Sequence, residues 1–392
     1  MDGPIRPAVP GAVAFEVSTL LVEKPSGIGT YGRGLIRALA ALRPERAHCQ
    51  VYRWSRWHRR RLLPVPEVPS RPYITGRFLH CTHGLLHTLD TRIPENFRGV
   101  LVATLFDVIS ALPVAEEKGL SSKAFQARKQ ADYQRIARRA DLVITLSRET
   151  RDRFLELAHP APPVAVIPPG VDEEFLTAGA APADPARLAR LGLRGPYLLT
   201  VGALHPRKNL GACLEAFRRA RRKVPGLSLA VAGEPGVGWE TSLLAQEIRH
   251  QGPGIHLLGY MDRQDLAEAC AGAEALLFLS HYEGYGLPVL EAMAAGAPVV
   301  AARRGGIPDA AGDAALLVDP DDPDAVEAAV LRILSDRNLA SRLRSLGRRR
   351  ALEVPWDAAA RAVEEAYAEA AQRHGLREGR RDPRIRRPRG TP

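Results

Sequence analysis

Glu283 and Glu291 stand eight residues apart in HYEGYGLPVLEAMAAG (residues 281–296), with a Gly-Tyr-Gly turn and a proline between them. What needs two carboxylates held that way depends on whether these residues form one helix or a loop followed by a helix. Pro288 suits the first turn of a helix, where its missing N–H costs nothing, while Gly284 and Gly286 permit backbone angles that a helix does not use. A helix therefore starts near Leu287 and stops at Gly296, ahead of Pro298. This puts Glu283 in the preceding loop and Glu291 in the first turns, close to the positive end of the helix dipole. Taken singly, each is better explained as a solvated loop acid or a dipole-stabilised acid than as a ligand contact.

A second group of charges lies in VGALHPRKNL (residues 201–210), where Arg207 and Lys208 occupy a loop between a strand and a helix that Asn209 could cap. Arginine offers phosphate oxygens a bidentate fork, and lysine a compact point charge. With six lysines against 49 arginines in the chain, the lysine is the more informative choice. SGIGTYGRGL places Gly27, Gly29 and Gly32 between a strand and a helix near residues 33–42, which would let backbone come close to a phosphate or sugar. RGGIPD (residues 304–309) gives a further glycine-rich loop, and GEPGVG (residues 233–238) fits an ordinary turn. DPDDPD (residues 319–324) resembles a metal-binding acidic run, but its prolines and its place between a strand and a helix make it a turn and N-cap. No His or Cys cluster has metal spacing, and no metal is expected.

The elements that must position these groups alternate. AVAFEV, VLVATLFDV, DLVITLS and VAVIP read as strands in the first half. YLLTV, LSLAVAG, IHLLGY, ALLFLS, PVVAA and ALLVD do so in the second, with helices near residues 209–223, 241–249 and 263–271 between them. Such alternation implies an α/β chain of two doubly wound parallel-sheet domains, Rossmann-like, facing across a cleft. Ligands of such sheets sit beyond the carboxyl ends of the strands, where all the loops above lie. The expected division is an N-terminal domain at 1–180, a linker at 181–194 within an Ala/Pro/Gly-rich stretch, and a second domain at 195–355. A closing helix at 356–372 follows, with Trp356, Ala360, Val363 and Tyr367 as the stripe that packs back on the first domain. The basic tail 373–392 is expected to be disordered.

At 392 residues and 45% hydrophobic content the chain can fill two cores. No apolar run approaches the roughly eighteen residues of a membrane span, and prolines interrupt the N-terminal stretch where a signal peptide needs an unbroken apolar helix. Cys49, Cys81, Cys213 and Cys270 have no paired spacing, which fits a reducing, cytoplasmic setting. The formal charge is +11, and the tail alone carries eight arginines against Glu378 and Asp382. The arginine bias runs through the whole chain, so nucleic acid is not the expected partner. VYRWSRWHRRRLLP (residues 51–64) sets Trp54 and Trp57 among basic residues without acids, a pattern that fits a membrane surface, with a packed helix face as the alternative.

Read in order, GIGTYGRGLIRAL, RRADLVITLS, VIPPGVD, YLLTVGALHPRKNL, LLGYMDRQDLAEACAGA, EGYGLPVLEAMAAGAPVVA and GDAALLVDPDDP resemble the retaining glycosyltransferases of family 4, of GT-B architecture, over roughly residues 13–367. The resemblance implies that Glu291 accepts hydrogen bonds from ribose hydroxyls and that Glu283 contacts the transferred sugar. It implies that Arg207 and Lys208 neutralise the departing diphosphate, aided by backbone N–H groups around Tyr285, Gly286 and Leu287. Gly27, Gly29, Gly202, Tyr260 and Met261 become further nucleotide-sugar positions, and Asp107 a catalytic one. Many relatives place a histidine before that aspartate; here it is Phe106, and His80 and His83 are candidates to replace it. Ala203 stands where other relatives have an arginine, so Arg207 must take that charge.

The implied activity moves a hexose, by best match mannose from GDP-mannose with UDP-sugars as the other donors, to a saccharide or lipid-linked saccharide. No metal or other cofactor is implied, and the setting is cytoplasmic or peripheral at the inner face of the cell membrane. A nucleotide-sugar epimerase of the same architecture and a non-catalytic nucleotide- or RNA-binding protein are the alternatives. The oligomeric state is left open.

Overall fold

The computed structural model describes residues 11–21, 27–53, 65–73, 84–91, 93, 97–113, 122–235, 248 and 254–381. The first sheet comprises β1 (Ala12–Glu16), β2 (Ala47–Arg53), β3 (Ser70–Tyr73), β4 (Leu85–Thr88), β5 (Val100–Leu105), β6 (Leu142–Thr145) and β7 (Val164–Val166). The second comprises β8 (Tyr197–Val201), β9 (Ser228–Ala232), β10 (Ile255–Gly259), β11 (Ala275–Phe278), β12 (Val299–Ala302) and β13 (Leu316–Val318). Their orders are β3-β2-β1-β4-β5-β6-β7 and β10-β9-β8-β11-β12-β13. Every pairing is parallel. Parallel strands are covered by helices on both faces, which is why VLVATL, LVIT, ALLF and VVAA are continuous apolar runs and are buried at every position. The expected α/β class, with two doubly wound parallel sheets, is what forms.

Each sheet reverses its winding once, between β1 and β4 in the first and between β8 and β11 in the second. Such switch points open a crevice at the carboxyl ends of the two neighbouring strands. The loops leaving β8 and β11 are the ones that carry Arg207, Lys208 and Glu283.

The structure differs from the sequence reading at several places. The stretch through Gly27, Gly29 and Gly32 is no loop: the helix Gly27–Leu42 begins at the first of these glycines. Glycine disfavours helix interiors, but space demands it here, since a Cβ on Gly32 would overlap Leu20 and one on Gly34 would overlap the Trp356 ring. The segment expected as a linker is structured, with a helix Pro185–Arg190 capped by Asp184, and Leu193 is buried in the core. The preceding helix, Glu173–Ala178, already packs on helices Arg263–Ala271 and Leu287–Ala294 of the second lobe. Asn209 holds the N-cap position of helix Leu210–Lys223 without a side-chain cap bond, in a left-handed conformation at φ 50°. The closing helix runs from Trp356 to Arg381, so the start of the basic tail is helical.

That helix lies along Gly27–Leu42 and reaches β5 and β6. Ala360, Val363 and Tyr367 are fully buried, the Tyr367 hydroxyl meets His87 Nδ1 at 2.7 Å, and Arg46 pairs with Glu364 at 2.6 Å. Val51–Arg53 belongs to β2, not to a helix face. Residues 54–64 with Trp54 and Trp57, the residues Cys81, His80 and His83, and the helix expected at 241–249 apart from residue 248 lie outside the described residues. Among the described residues no helix is long and apolar enough to cross a membrane.

Candidate functional site

Glu283 sits in the loop that leaves β11 at the second switch point and is the centre of a charge cluster there. Its Oε1 accepts from Lys208 Nζ at 2.8 Å and its Oε2 pairs with Arg207 Nη1, also at 2.8 Å. The β8 loop makes this possible in a specific way. Pro206–Lys208 forms a single 3-10 turn whose N-cap His205 accepts from Arg207 N through its side chain, and the left-handed Asn209 then redirects the chain into the helix. Gly202, at φ 137°, leaves room for the Lys208 stem, since a Cβ there would come within 2.8 Å of Lys208 Cε. The ammonium lies 5.0 Å from the centre of the Phe278 ring, a favourable cation–π placement. From the β11 side, Arg207 Nη1 donates to the Tyr282 carbonyl at 2.8 Å and His281 N donates to the Arg207 carbonyl at 2.9 Å. The two loops are thus stitched through backbone as well as charge.

Burial alone would push the Glu283 carboxyl up. Lys208 and Arg207 outweigh it, with a Ser280 hydrogen bond helping, and hold the group down at about 2. Burial draws Lys208 the other way, lowering it against the pull of Glu283. Arg207 and Lys208 thus share Glu283, with the Asp107 carboxyl a further neighbour of Arg207.

The first lobe completes the wall. Gly284 packs against Phe106, whose carbonyl oxygen a Cβ would overlap, and Asp107 follows it. Burial raises the Asp107 carboxyl, Arg207 opposes this, and Glu283 adds to it. Ser147 Oγ and Thr150 Oγ1 donate to the Gly284 carbonyl at 2.6 and 3.2 Å, and Arg148 pairs with Asp309 at 2.9 Å. The loop bearing Glu283 is therefore held by both lobes.

Glu291 lies one helical step deeper, 3% exposed. Its Oε1 accepts from Arg263 Nη2 at 2.7 Å, and the same guanidinium binds Asp172 Oδ2 through Nε at 3.0 Å and Nη2 at 2.9 Å. Burial keeps the Glu291 carboxyl above its ordinary range against the pull of Arg263, and the nearby Asp172 and Glu174 add to it.

The structure brings Glu283, Arg207, Lys208, Gly202 and Asp107 together. Gly286 is left-handed at φ 104° and is the N-cap of helix Leu287–Ala294, with Leu287 as its first residue. Tyr285 points into the core, and no hydrogen bond reaches its hydroxyl. Tyr260 is exposed and Met261 packs against the large core, on the loop that leads to Arg263. Gly27 and Gly29 open the first helix of the opposite lobe, and no hydrogen bond or ion pair ties them to the Glu283 trio. Asp172, Arg263, Ser147 and Trp356 were not singled out as site residues. One signal for Arg263 was available, since a cation in the first position of a helix opposes the dipole and calls for an acid nearby. Among the described residues no group of three or more His, Cys, Asp or Glu side chains could hold a metal ion.

Comparison with known proteins bears on this arrangement. The family described as Glycosyltransferase Family 4 matches residues 24–175, and Glycosyl transferases group 1 matches residues 190–350. The chain is 31% identical over 226 residues to O-antigen chain mannosyltransferase B of Escherichia coli, a match covering 56% of this chain and 58% of that protein. It is 30% identical over 301 residues to glycogen synthase of Mycobacterium tuberculosis, covering 74% of this chain and 68% of the relative. In fold it is similar to the Anabaena protein HepE, solved in complex with UDP and glucose, at TM-score 0.73 and 18% identity, covering 91% of this chain and 98% of the other.

Proposed function

The chain belongs to glycosyltransferase family 4, and on that premise we propose that it is a retaining hexosyltransferase that carries mannose from GDP-mannose to a saccharide or lipid-linked saccharide acceptor. The observation that carries the reading is the Arg207–Glu283–Lys208 cluster at the second switch point. The mannosyl part rests on the similarity to the O-antigen mannosyltransferase.

Arg207 and Lys208 take the charge that builds on the diphosphate as the anomeric bond breaks, the point at which fixed cations are worth most. Glu283, freed from part of its ion pairing by the phosphates, accepts from hydroxyls of the transferred sugar. Glu291, set in the helix behind it, accepts from the ribose. The acceptor oxygen attacks the anomeric carbon from the face that the phosphate leaves. The bonding pair goes to the phosphate oxygen, and the acceptor's proton follows it. Configuration is retained. Contact of both lobes with the Gly284 loop excludes water, which would otherwise hydrolyse the donor.

A thermal-shift panel of GDP, UDP, ADP and dTDP tests the donor, since the nucleotide that binds raises the melting temperature by mass action. GDP should give the largest shift. GDP-mannose with a disaccharide acceptor should yield an α-linked product. Epimerised donor formed without acceptor, or no shift with any nucleotide, would overturn the proposal.

A further inference from the structure

Both crossings between the lobes end on one arginine. The first crossing passes Gly170 and Asp172, and the return crossing begins at Trp356. The Trp356 indole is wedged between Gly34 and Gly170, where a Cβ on either glycine would overlap it. Its Nε1 donates to Asp172 Oδ1 at 2.9 Å. The other oxygen of Asp172 holds the Nε and Nη2 of Arg263, and Nη2 also reaches Glu291 Oε1. The guanidinium stacks 4.5 Å from the centre of the Phe175 ring. Arg263 opens its helix, where its charge opposes the dipole, so the placement serves these partners rather than the helix. A cavity of about 810 Å³ lies between the crossings, with Gly34, Asp172, Gln264 and Trp356 in its wall.

We propose that Arg263 is a positioning residue for nucleoside recognition: it aims the Glu291 carboxylate at the ribose, and its own setting is fixed by the two crossings through Asp172 and Trp356. The inference rests on the transferase reading above. A planar guanidinium can hold two carboxylates in fixed directions at once, which an ammonium cannot. Tilting the lobes moves Trp356, seated on Gly34 of the first lobe, against Asp172, and the Arg263 fork transmits that movement to Glu291. Nucleoside affinity and lobe position are then linked in both directions.

Calorimetric titration with GDP and with 2′,3′-dideoxy-GDP reads this directly, with UDP and its dideoxy analogue in their place should the panel select UDP. Arg263→Lys keeps the charge and loses the fork. It should weaken GDP binding about tenfold, in keeping with a lost hydrogen bond to a charged group, and leave the dideoxy ligand within about twofold. Trp356→Phe keeps a ring beside Gly170 and removes the indole donor together with the second ring that faces Gly34; in a protein that still folds it should show the same selectivity at about threefold. Equal loss for both ligands, or no loss for either, in a folded Arg263→Lys protein overturns the assignment. A wild-type chain that binds no nucleoside diphosphate overturns the transferase reading as well, so the two failures are distinct.

Discussion

Glu283 and Glu291 are both buried, both face an arginine and lie eight residues apart, yet their carboxyls are driven in opposite directions. Glu283 meets two cations, Lys208 and Arg207, and is held down at about 2. Glu291 meets one, Arg263, which it shares with Asp172, and burial keeps it raised. Two cations outweigh burial at Glu283, whereas burial, with Asp172 and Glu174 adding to it, outweighs the single arginine at Glu291. The first cluster therefore has cations to lend to an incoming anion. The second has one arginine between two acids and is suited to accepting hydrogen bonds from neutral hydroxyls.

The largest expected effect breaks the first cluster. Lys208→Ala should lower transfer by about a hundredfold to a thousandfold in kcat, as removal of one preorganised charge at a developing anion does, with the fold retained because the residue lies in a loop. Glu283→Gln should follow at about a hundredfold, since it loses sugar orientation and unbalances the two cations. Glu291→Gln should act mainly on donor binding, raising KM about tenfold with a smaller change in kcat. Steady-state kinetics separates the three.

Acid titration sharpens the comparison. Glu283 has a folded value of about 2 against an ordinary 4.5, so it binds its proton less tightly in the folded chain. Its stabilising contribution is complete above about 4.5 and fades as pH falls toward 2. Glu291 is raised, so it favours folding when protonated, and that contribution fades as pH rises past 4.5 toward its folded value. Glu283→Gln should therefore lower the melting temperature more at pH 7 than at pH 3, and Glu291→Gln less at pH 7 than at pH 3. The same slope in both variants would erase the distinction. The smallest effect belongs to Arg148→Ala. Its pair with Asp309 bridges the lobes, but the arginine side chain is 72% exposed, and such pairs contribute about 0–1 kcal/mol. A change in KM of about twofold is expected.

Much of this was legible in the chain because the relevant signals are local. The helix at Leu287 follows from Pro288 and the flanking glycines, the turn and cap at Asp319–Asp322 from their spacing, and the central strands from unbroken apolar runs. β2, β3 and β4 were not, since AHCQVYR mixes polar residues, SRPY contains a proline on an edge strand, and LLHT is only four residues long. The helix from Gly27 was hidden because glycines argue against helix locally, and the packing that calls for two of them, Gly32 on Leu20 and Gly34 on Trp356, is tertiary. Lys208 and Glu283 could be placed at one sheet edge by pattern. Their ion pair could not, nor could the arginine that joins Asp172 to Glu291, since these contacts span 75, 91 and 28 residues of chain.

In the proposed reaction Lys208 and Arg207, balanced by Glu283, hold the diphosphate that leaves. Titrating GDP and GMP into the wild-type chain and into Lys208→Ala measures this most directly, because the two ligands differ by the phosphate that the lysine would meet. The wild type should bind GDP more tightly than GMP by about tenfold or more, and Lys208→Ala should remove most of that preference. An undiminished preference for GDP in a folded Lys208→Ala protein would contradict this role of the lysine.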